Sequence, residues 1–227
     1  MDLQQAMTER RSIRAYQDKA VSPDILRKII DRAAKAPSAG NTQPWEVVVA
    51  QGTALETVRA ESERLFLDGV PAKADLPNVF NVGKLSDAWP EQLATRYQDC
   101  GRLILGTLGI ERGDKAGRQA FYRAMYRFFE APVLLLVGFN KQMPEGYAMF
   151  DLGLFAQNLC LTAHAEGLGT CIMAVGAFYP EMMRTKLPIP PHLQIGVGIA
   201  LGYPDNEAPI NRFERQYAPL EEWVHGL

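Results

Sequence analysis

The chain has 227 residues, 47% hydrophobic and 22% charged, which fits one globular unit with a sizeable core and excludes a disordered or low-complexity scaffold. With 24 Lys and Arg against 26 Asp and Glu the formal net charge is −2, so whole-molecule attraction to nucleic acid or to an anionic membrane has no basis. The most apolar run, residues 133–139, is strand length and well short of the ~18–20 residues that span a bilayer.

The N-terminal residues carry neither a basic leader nor an apolar signal core, so the expected location is the cytoplasm. Asp2 can cap a short helix running to Arg10, and Ser22-Pro23-Asp24 is a start signal for a second helix ended by Pro37. Residues 45–50 read as a strand. Thr53, with Glu56 three positions on, reads as a capping box that opens a helix to about Asp68. Residues 69–90 are irregular, punctuated by Pro71, Pro77 and Pro90, and two helical stretches follow, Glu91 to Leu108 and Asp114 to Phe129. Residues 65–125 therefore read as a mobile helical insertion within a single domain of residues 1–227.

Val133 to Val137 looks like a strand buried on both faces. A long helix from Tyr147 to Glu166 is terminated by Gly167, and residues 169–174 and 193–202 are further strands separated by a short helix after Pro180. Strands separated by helices argue for an α/β or α+β fold. The tail from Tyr203, with Pro204, Pro209 and Pro219, cannot build its own core and must lie on its own domain or on a partner subunit. Cys100, Cys160 and Cys171 are widely spaced with no C-x-x-C pair, which reads as buried free thiols.

The usual chemistry-bearing motifs are missing from the sequence. There is no phosphate loop, no third glycine to complete a dinucleotide fingerprint around Gly167/Gly169 or Gly196/Gly198, and no nucleophile elbow. His164, His192 and His225 lack metal-ligand spacing, so no metal site is expected.

Two segments stand out. Arg10-Arg11-Ser12-Ile13-Arg14 places three guanidinium groups and a hydroxyl within five residues, and in an extended chain Arg10, Ser12 and Arg14 would project from one side to clamp an anion. Ala36-Pro37-Ser38-Ala39-Gly40-Asn41-Thr42-Gln43-Pro44-Trp45 is a polar loop whose amides and hydroxyls can read the edge of a heterocycle. Alone, the first is also what a solvated surface looks like, and the second what a turn demands.

In this order and at this separation the pair resembles the N-terminal signature of the nitroreductase-like flavoprotein family. The likeness continues in Phe150-Asp151-Leu152-Gly153, Asn158-Leu159, Glu166-Gly167-Leu168-Gly169-Thr170 and Ala200-Leu201-Gly202-Tyr203-Pro204-Asp205, and covers all but the insertion. The resemblance implies an α+β fold with a central, mostly antiparallel sheet flanked by helices. It further implies a homodimer with exchanged C-terminal arms and an FMN in each of two interface sites. Arg10, Arg11, Ser12 and Arg14 match the segment that holds FMN; by that likeness Arg10 and Ser12 would serve the phosphate and ribityl chain, and Arg14 would approach the pyrimidine edge. Pro37, Ser38, Asn41 and Gln43 would come from the other subunit. Met173, Ala174, Val175 and Gly176 match the strand end facing the ring, where this chain lacks the Glu-Gly pair of several relatives, so the contact would be main-chain only. Arg215 matches a basic phosphate-binding residue; the second basic position is Tyr217 here, with Arg212 the candidate to compensate.

The resemblance implies a two-step exchange in one cavity: NADH or NADPH delivers hydride to FMN and leaves, and a small aromatic acceptor, a nitroaromatic first and a quinone next, takes its position. Phe66, Phe80, Trp89, Tyr97, Phe121, Tyr122 and Tyr126 could wall that pocket. Reductive dehalogenation on the same fold would ask for a Glu with a Tyr four residues later; Glu61 and Glu91 are followed instead by Leu65 and Thr95. A flavin-holding dimer that never turns over is the non-enzymatic alternative.

Overall fold

Side-chain capping decides where the first helices begin. The Asp2 carboxylate accepts from the Gln5 N–H at 2.8 Å to open α1 (Leu3–Glu9), and the Ser22 hydroxyl accepts from the Ile25 N–H at 3.3 Å to open α2 (Pro23–Ala33). Leu26, Ile29 and Ala33 of α2 recur at helical spacing and are buried on one face. β1 (Trp45–Gln51) runs directly into α3 (Gly52–Leu67). The expected capping box does not form there: α3 starts at Gly52, so Thr53 is already inside the helix, and Glu56 is drawn away to Arg59 and Arg127.

The computed structural model describes residues 2–76 and 89–226; Pro77 and Phe80 lie outside the described residues. α4 (Glu91–Thr107) and α5 (Lys115–Tyr126) follow, the latter opened by the Asp114 carboxylate, which accepts from the Gly117 N–H at 2.8 Å. α5 stops at Tyr126 rather than Phe129 because Phe128, Phe129 and Glu130 take φ of 55°, 53° and 55°, a left-handed turn that cannot extend a right-handed helix. The buried Arg59 guanidinium holds this turn, donating to the Arg127 carbonyl at 2.9 Å and the Ala131 carbonyl at 2.6 Å.

The sheet is antiparallel, in the order β1-β2-β4-β3, with β2 (Val133–Asn140), β3 (Gly169–Met173) and β4 (Leu193–Gly202). Its registers pair Val48 with Leu136, Val133 with Leu201 and Cys171 with Ala200. The unbroken apolar run of β2 feeds two cores by alternation. Val133, Leu135, Val137 and Phe139 pack with Leu26 and Ile29 of α2 and Phe155 and Leu159 of α6 (Glu145–Ala165). Leu134 and Leu136 pack on the other face with Leu55 and Val58 of α3, Phe128 and Met183 of α7 (Pro180–Lys186). Burial on both faces is thus borne out, and it comes from helices on both sides of an antiparallel sheet.

Gly167, at φ 76°, ends α6 as expected, its N–H donating to His164 and that of Leu168 donating back to the Ala163 carbonyl at 2.9 Å. This turn delivers the chain into β3 without a linker. Cys160 and Cys171 are buried as expected, but Cys100 is exposed, because α4 buries only Ile104 and Leu105 near its end. Among the described residues no helix is long and apolar enough to cross a membrane.

Candidate functional site

Arg10 closes α1, and from there to Gln17 the chain is laced to its surroundings. Ser12 pairs in parallel with Thr170 of β3, and the Ile13 N–H donates to the Thr170 carbonyl at 2.9 Å. Gly169 leaves room for that approach: a Cβ there would stand 2.4 Å from Ile13 Cγ1. The Tyr16 hydroxyl donates to the Ile13 carbonyl at 2.8 Å, and the Gln17 N–H to the Tyr203 carbonyl at 2.9 Å. Asn211, 4% exposed, completes the lacing from the tail: its Oδ1 accepts from the Arg14 N–H, and its Nδ2 donates to the Ala15 and Asp205 carbonyls, all at 2.8 Å.

The tail lies against α1. Arg215 donates to the Thr8 and Arg10 carbonyls, the acceptors a helix leaves unpaired at its C-terminus. Arg11 donates to the Phe213 carbonyl, its guanidinium 5.5 Å from the Phe213 ring centroid, and Arg212 pairs with Glu207 at 2.5 Å. Farther on, Glu222 accepts from Gln92 at 2.5 Å and pairs with Arg96, tying the end of the tail to α4.

These contacts leave a cavity of about 260 Å³ whose walls include Arg10, Arg11, His164, Thr170, Asn211 and Arg212. Beside it, sharing Glu9, Arg11 and Arg212, runs an open groove of about 480 Å³ that adds Phe213, Arg215 and Tyr217. Guanidinium groups outnumber carboxylates in both, with Glu9 in each and Glu214 in the groove. Burial lowers the Arg11 pKa; repulsion from Arg215 adds to this, Tyr217 opposes it, and Arg14 reinforces it. Burial likewise lowers the His164 pKa against the pull of Glu9, with Arg10 and Arg215 adding to the shift, and the His164 Nε2 is buried with no hydrogen-bond partner among the described residues. Adjacent guanidinium groups and a ring nitrogen without a hydrogen bond, its nearest carboxylate Glu9 at 3.9 Å, are what a bound phosphate would satisfy, so the residues present fit the phosphate end of FMN.

Arg10, Arg11 and Arg212 are thus brought together, with Arg215 in the adjoining groove. Ser12 and Arg14 line neither cavity, so the expected one-sided clamp of Arg10, Ser12 and Arg14 is not what forms. Ser12 is paired to β3 and its hydroxyl lies beside Cys171, whose thiol burial pushes up against Arg14's charge and the Ser12 hydrogen bond.

The second segment is elsewhere. In the loop after Pro37, the Ser38 hydroxyl accepts from the Gln43 N–H at 2.9 Å, and Gln43 Nε2 donates to the Asn41 carbonyl at 3.0 Å. Gly40, Asn41 and Gln43 have φ of 57°, 56° and 50°, so two exposed non-glycine residues sit in the left-handed region. The anchor is Asp151 of α6, 2% exposed, whose two carboxylate oxygens each stand 3.2 Å from the Ala39 N–H. Pro37, Ser38, Asn41 and Gln43 line neither cavity within the chain.

At the end of β3, the Met173 and Val175 side chains are buried in the core on the α3 side, and Ala174–Ala177 form a 3-10 turn. Gly176 lies directly on Gly198, where a Cβ would meet the Gly198 Cα at 2.6 Å. Side chains of Met173 and Val175 are thus committed inward.

Among the aromatics, Phe66 stacks on Tyr126 at 4.4 Å, Trp89 meets Tyr97 edge-on at 5.4 Å, and Phe121 packs 6.0 Å from Phe129 and 5.9 Å from Tyr122. None of them lines either cavity. The sequence reading missed Asn211, His164 and the role of Asp151. Asp151 had a visible signal, a lone acid in the buried stripe of Ala148, Leu152, Phe155 and Leu159; Asn211, in a proline-broken tail, had none.

The Nitroreductase family model matches residues 7–203. The chain is 31% identical to the nitrobenzene nitroreductase of Ectopseudomonas oleovorans, covering 95% of this chain and 92% of that one. It is 33% identical to the 4-nitrobenzoate reductase of Nocardioides sp. (strain LMS-CY), covering 96% and 87%. Among solved structures, the FMN and NADPH-dependent nitroreductase NfnB from Sphigopyxis sp. strain HMH superposes with a TM-score of 0.90 at 29% identity, over 100% of this chain and 99% of that one. A family match that runs from the end of α1 to the start of the tail, over an antiparallel sheet and an arginine-lined cavity, makes this chain a member of the nitroreductase family.

Proposed function

We propose that this chain is an FMN-dependent NAD(P)H oxidoreductase that reduces nitroaromatic compounds. The observation that carries the reading is the arginine-walled cavity between α1 and the tail, where Arg10, Arg11 and Arg212 meet beside Arg215 and outnumber the lining carboxylates, Glu9 and Glu214. Those four arginines would hold the FMN phosphate, with Ser12 serving the ribityl chain and Arg14 the pyrimidine edge of the ring. Main-chain groups of Met173, Ala174, Val175 and Gly176 would serve the ring from the end of β3. FMN held there would supply the two-electron chemistry that links NADH or NADPH to the acceptor. The protein's own share is to fix the isoalloxazine, to hold a cation where negative charge develops on it, and to leave one face open to two successive flat molecules.

Two copies build the site. Tyr147 and Phe150 of α6 are 65% and 71% exposed, Leu3 and Met7 of α1 68% and 60%, a spread of outward apolar side chains that a second copy would cover. Tail residues Tyr217 and Trp223, 75% and 60% exposed, embrace the partner while Arg215 and Glu222 tie their own backbone to α1 and α4. Pro37, Ser38, Asn41 and Gln43 enter the partner's flavin site, which accounts for their distance from this chain's cavities. The whole chain acts as one cytoplasmic domain, with α4 and α5 as an insertion beside the acceptor pocket.

The test is anaerobic. A yellow preparation should bleach on adding NADH or NADPH and recover its colour when a nitroarene follows. Bleaching that only quinones reverse would replace the nitroaromatic acceptor, and a flavin that neither nucleotide bleaches would remove the enzymatic reading.

A further inference from the structure

We propose that Asn211 is a positioning residue for the bound flavin: it fixes the backbone at Arg14 and through it the place of the Arg14 guanidinium. This rests on the reading that Arg14 approaches the flavin. Its basis is that Arg14 is not held by its own side chain. Among the described residues no carboxylate pairs with Arg14, and its guanidinium makes one intrachain hydrogen bond, from Nη1 to the Ser12 carbonyl at a long 3.4 Å. Where that cation stands is therefore set by where the backbone at residue 14 stands and how the peptide is turned.

Asn211 sets both. Its Oδ1 takes the Arg14 N–H and its Nδ2 reaches the Ala15 carbonyl, so one planar amide grips the two peptide groups flanking the Arg14 Cα and its successor. The other Nδ2 bond, to the Asp205 carbonyl, ties that amide to the tail, whose Asp205 N–H donates in turn to the Ala15 carbonyl at 3.0 Å. Three of the amide's four hydrogen-bonding capacities are used at 2.8 Å in a nearly fully buried site. A purely local turn residue would satisfy neighbours in sequence; two of the three partners here lie 196 and 197 residues away. Neighbouring lacing at Ile13, Tyr16 and Gln17 fixes the flanks but leaves the Arg14 N–H to Asn211 alone.

The test is a double-mutant cycle read on apoprotein titrated with FMN and on the midpoint potential of the bound flavin. Asn211→Ala should raise the FMN Kd about tenfold and lower the potential, since a displaced cation stabilises the reduced ring less. Asn211→Asp, nearly isosteric, keeps the acceptor for Arg14 but sets an oxygen against the Ala15 and Asp205 carbonyls, and should move both readouts the same way; it serves if the alanine variant does not fold. In an Arg14→Ala background either change should have no further effect on the potential. Gln17→Ala, which cuts only an exposed tail bond to the Pro204 carbonyl, should leave the potential unaltered. Unchanged Kd and potential in both Asn211 variants, or full additivity with Arg14→Ala, overturns the proposal. If Arg14→Ala alone moves neither quantity, it is the placement of Arg14 at the flavin that fails, and the proposal falls with it.

Discussion

The run from Arg10 to Gln17 and the loop from Pro37 to Gln43 form the two halves of one sequence signature, yet the molecule holds them in opposite ways. The first is extended, laced to β3 and to its own tail, with backbone groups of Ile13, Arg14, Ala15 and Gln17 all bonded within the chain. The second turns through left-handed conformations at Gly40, Asn41 and Gln43, exposes its polar side chains, and is tied down by one buried carboxylate and its own local bonds. One is complete inside a single chain; the other stores strain, and its Gln43 side-chain amide reaches no farther than the Asn41 carbonyl of the same loop. Strain of this kind, of order 1–3 kcal/mol per residue, persists where the surroundings enforce it and is concentrated where ligands are gripped.

Asp151→Ala should separate the two most sharply. It removes the carboxylate that both 3.2 Å contacts to the Ala39 N–H depend on, and should cost about 2–3 kcal/mol of stability together with most FMN retention. Asp151→Asn, which keeps an acceptor, should lose less of each; chemical denaturation and flavin content after gel filtration measure both. Equal behaviour of the two variants would deny the anchor its role.

On the other side of the comparison, Arg215→Ala frees the end of α1 from the tail. Loss of two charge-assisted bonds to the Thr8 and Arg10 carbonyls should cost about 1–2 kcal/mol and weaken FMN binding in titration of the apoprotein. A variant that melts earlier but binds FMN as before would confine Arg215 to a structural part.

Gln43→Gly tests the strain directly. Glycine adopts φ of 50° freely, a gain that the larger entropy of the unfolded chain offsets, so stability should change by no more than about 0.5 kcal/mol while flavin affinity falls for want of the side-chain amide. A change confined to stability would contradict the proposed reach into the partner's site.

The smallest effect belongs to acid. Burial lowers the His164 pKa, Glu9 opposes, and Arg10 and Arg215 reinforce, so the unfolded chain binds the proton more readily than the folded one. Stability from this group is complete above about pH 6.5 and is lost as pH falls below it. His164→Gln should remove that part of the pH dependence of the denaturation midpoint, and added FMN should weaken it by bringing phosphate to the same cavity.

Much of this was legible in the amino-acid order because it rests on local physics. Asp2 and Ser22 cap, Gly167 terminates, and the seven-residue apolar run of β2 leaves no polar face to expose. What misled was local too: Thr53 has the spacing of a cap, but Glu56 finds stronger partners in Arg59, three residues on, and in Arg127, which reaches it only once α3 and the left-handed turn have met. That turn itself, three consecutive non-glycine residues at positive φ, has no composition to betray it; it exists because the buried Arg59 rewards the carbonyls it presents. Arg10 and Arg11 were readable from density of charge. Asn211 was not, since two of its three bonds reach almost two hundred residues away.

Sedimentation velocity of the yellow protein, followed at the flavin's own absorbance, tests the shared site most directly. The colour should move as a single boundary at twice the chain mass with one FMN per chain. Colour travelling with a single chain, or left behind at the meniscus while colourless protein sediments, would contradict it.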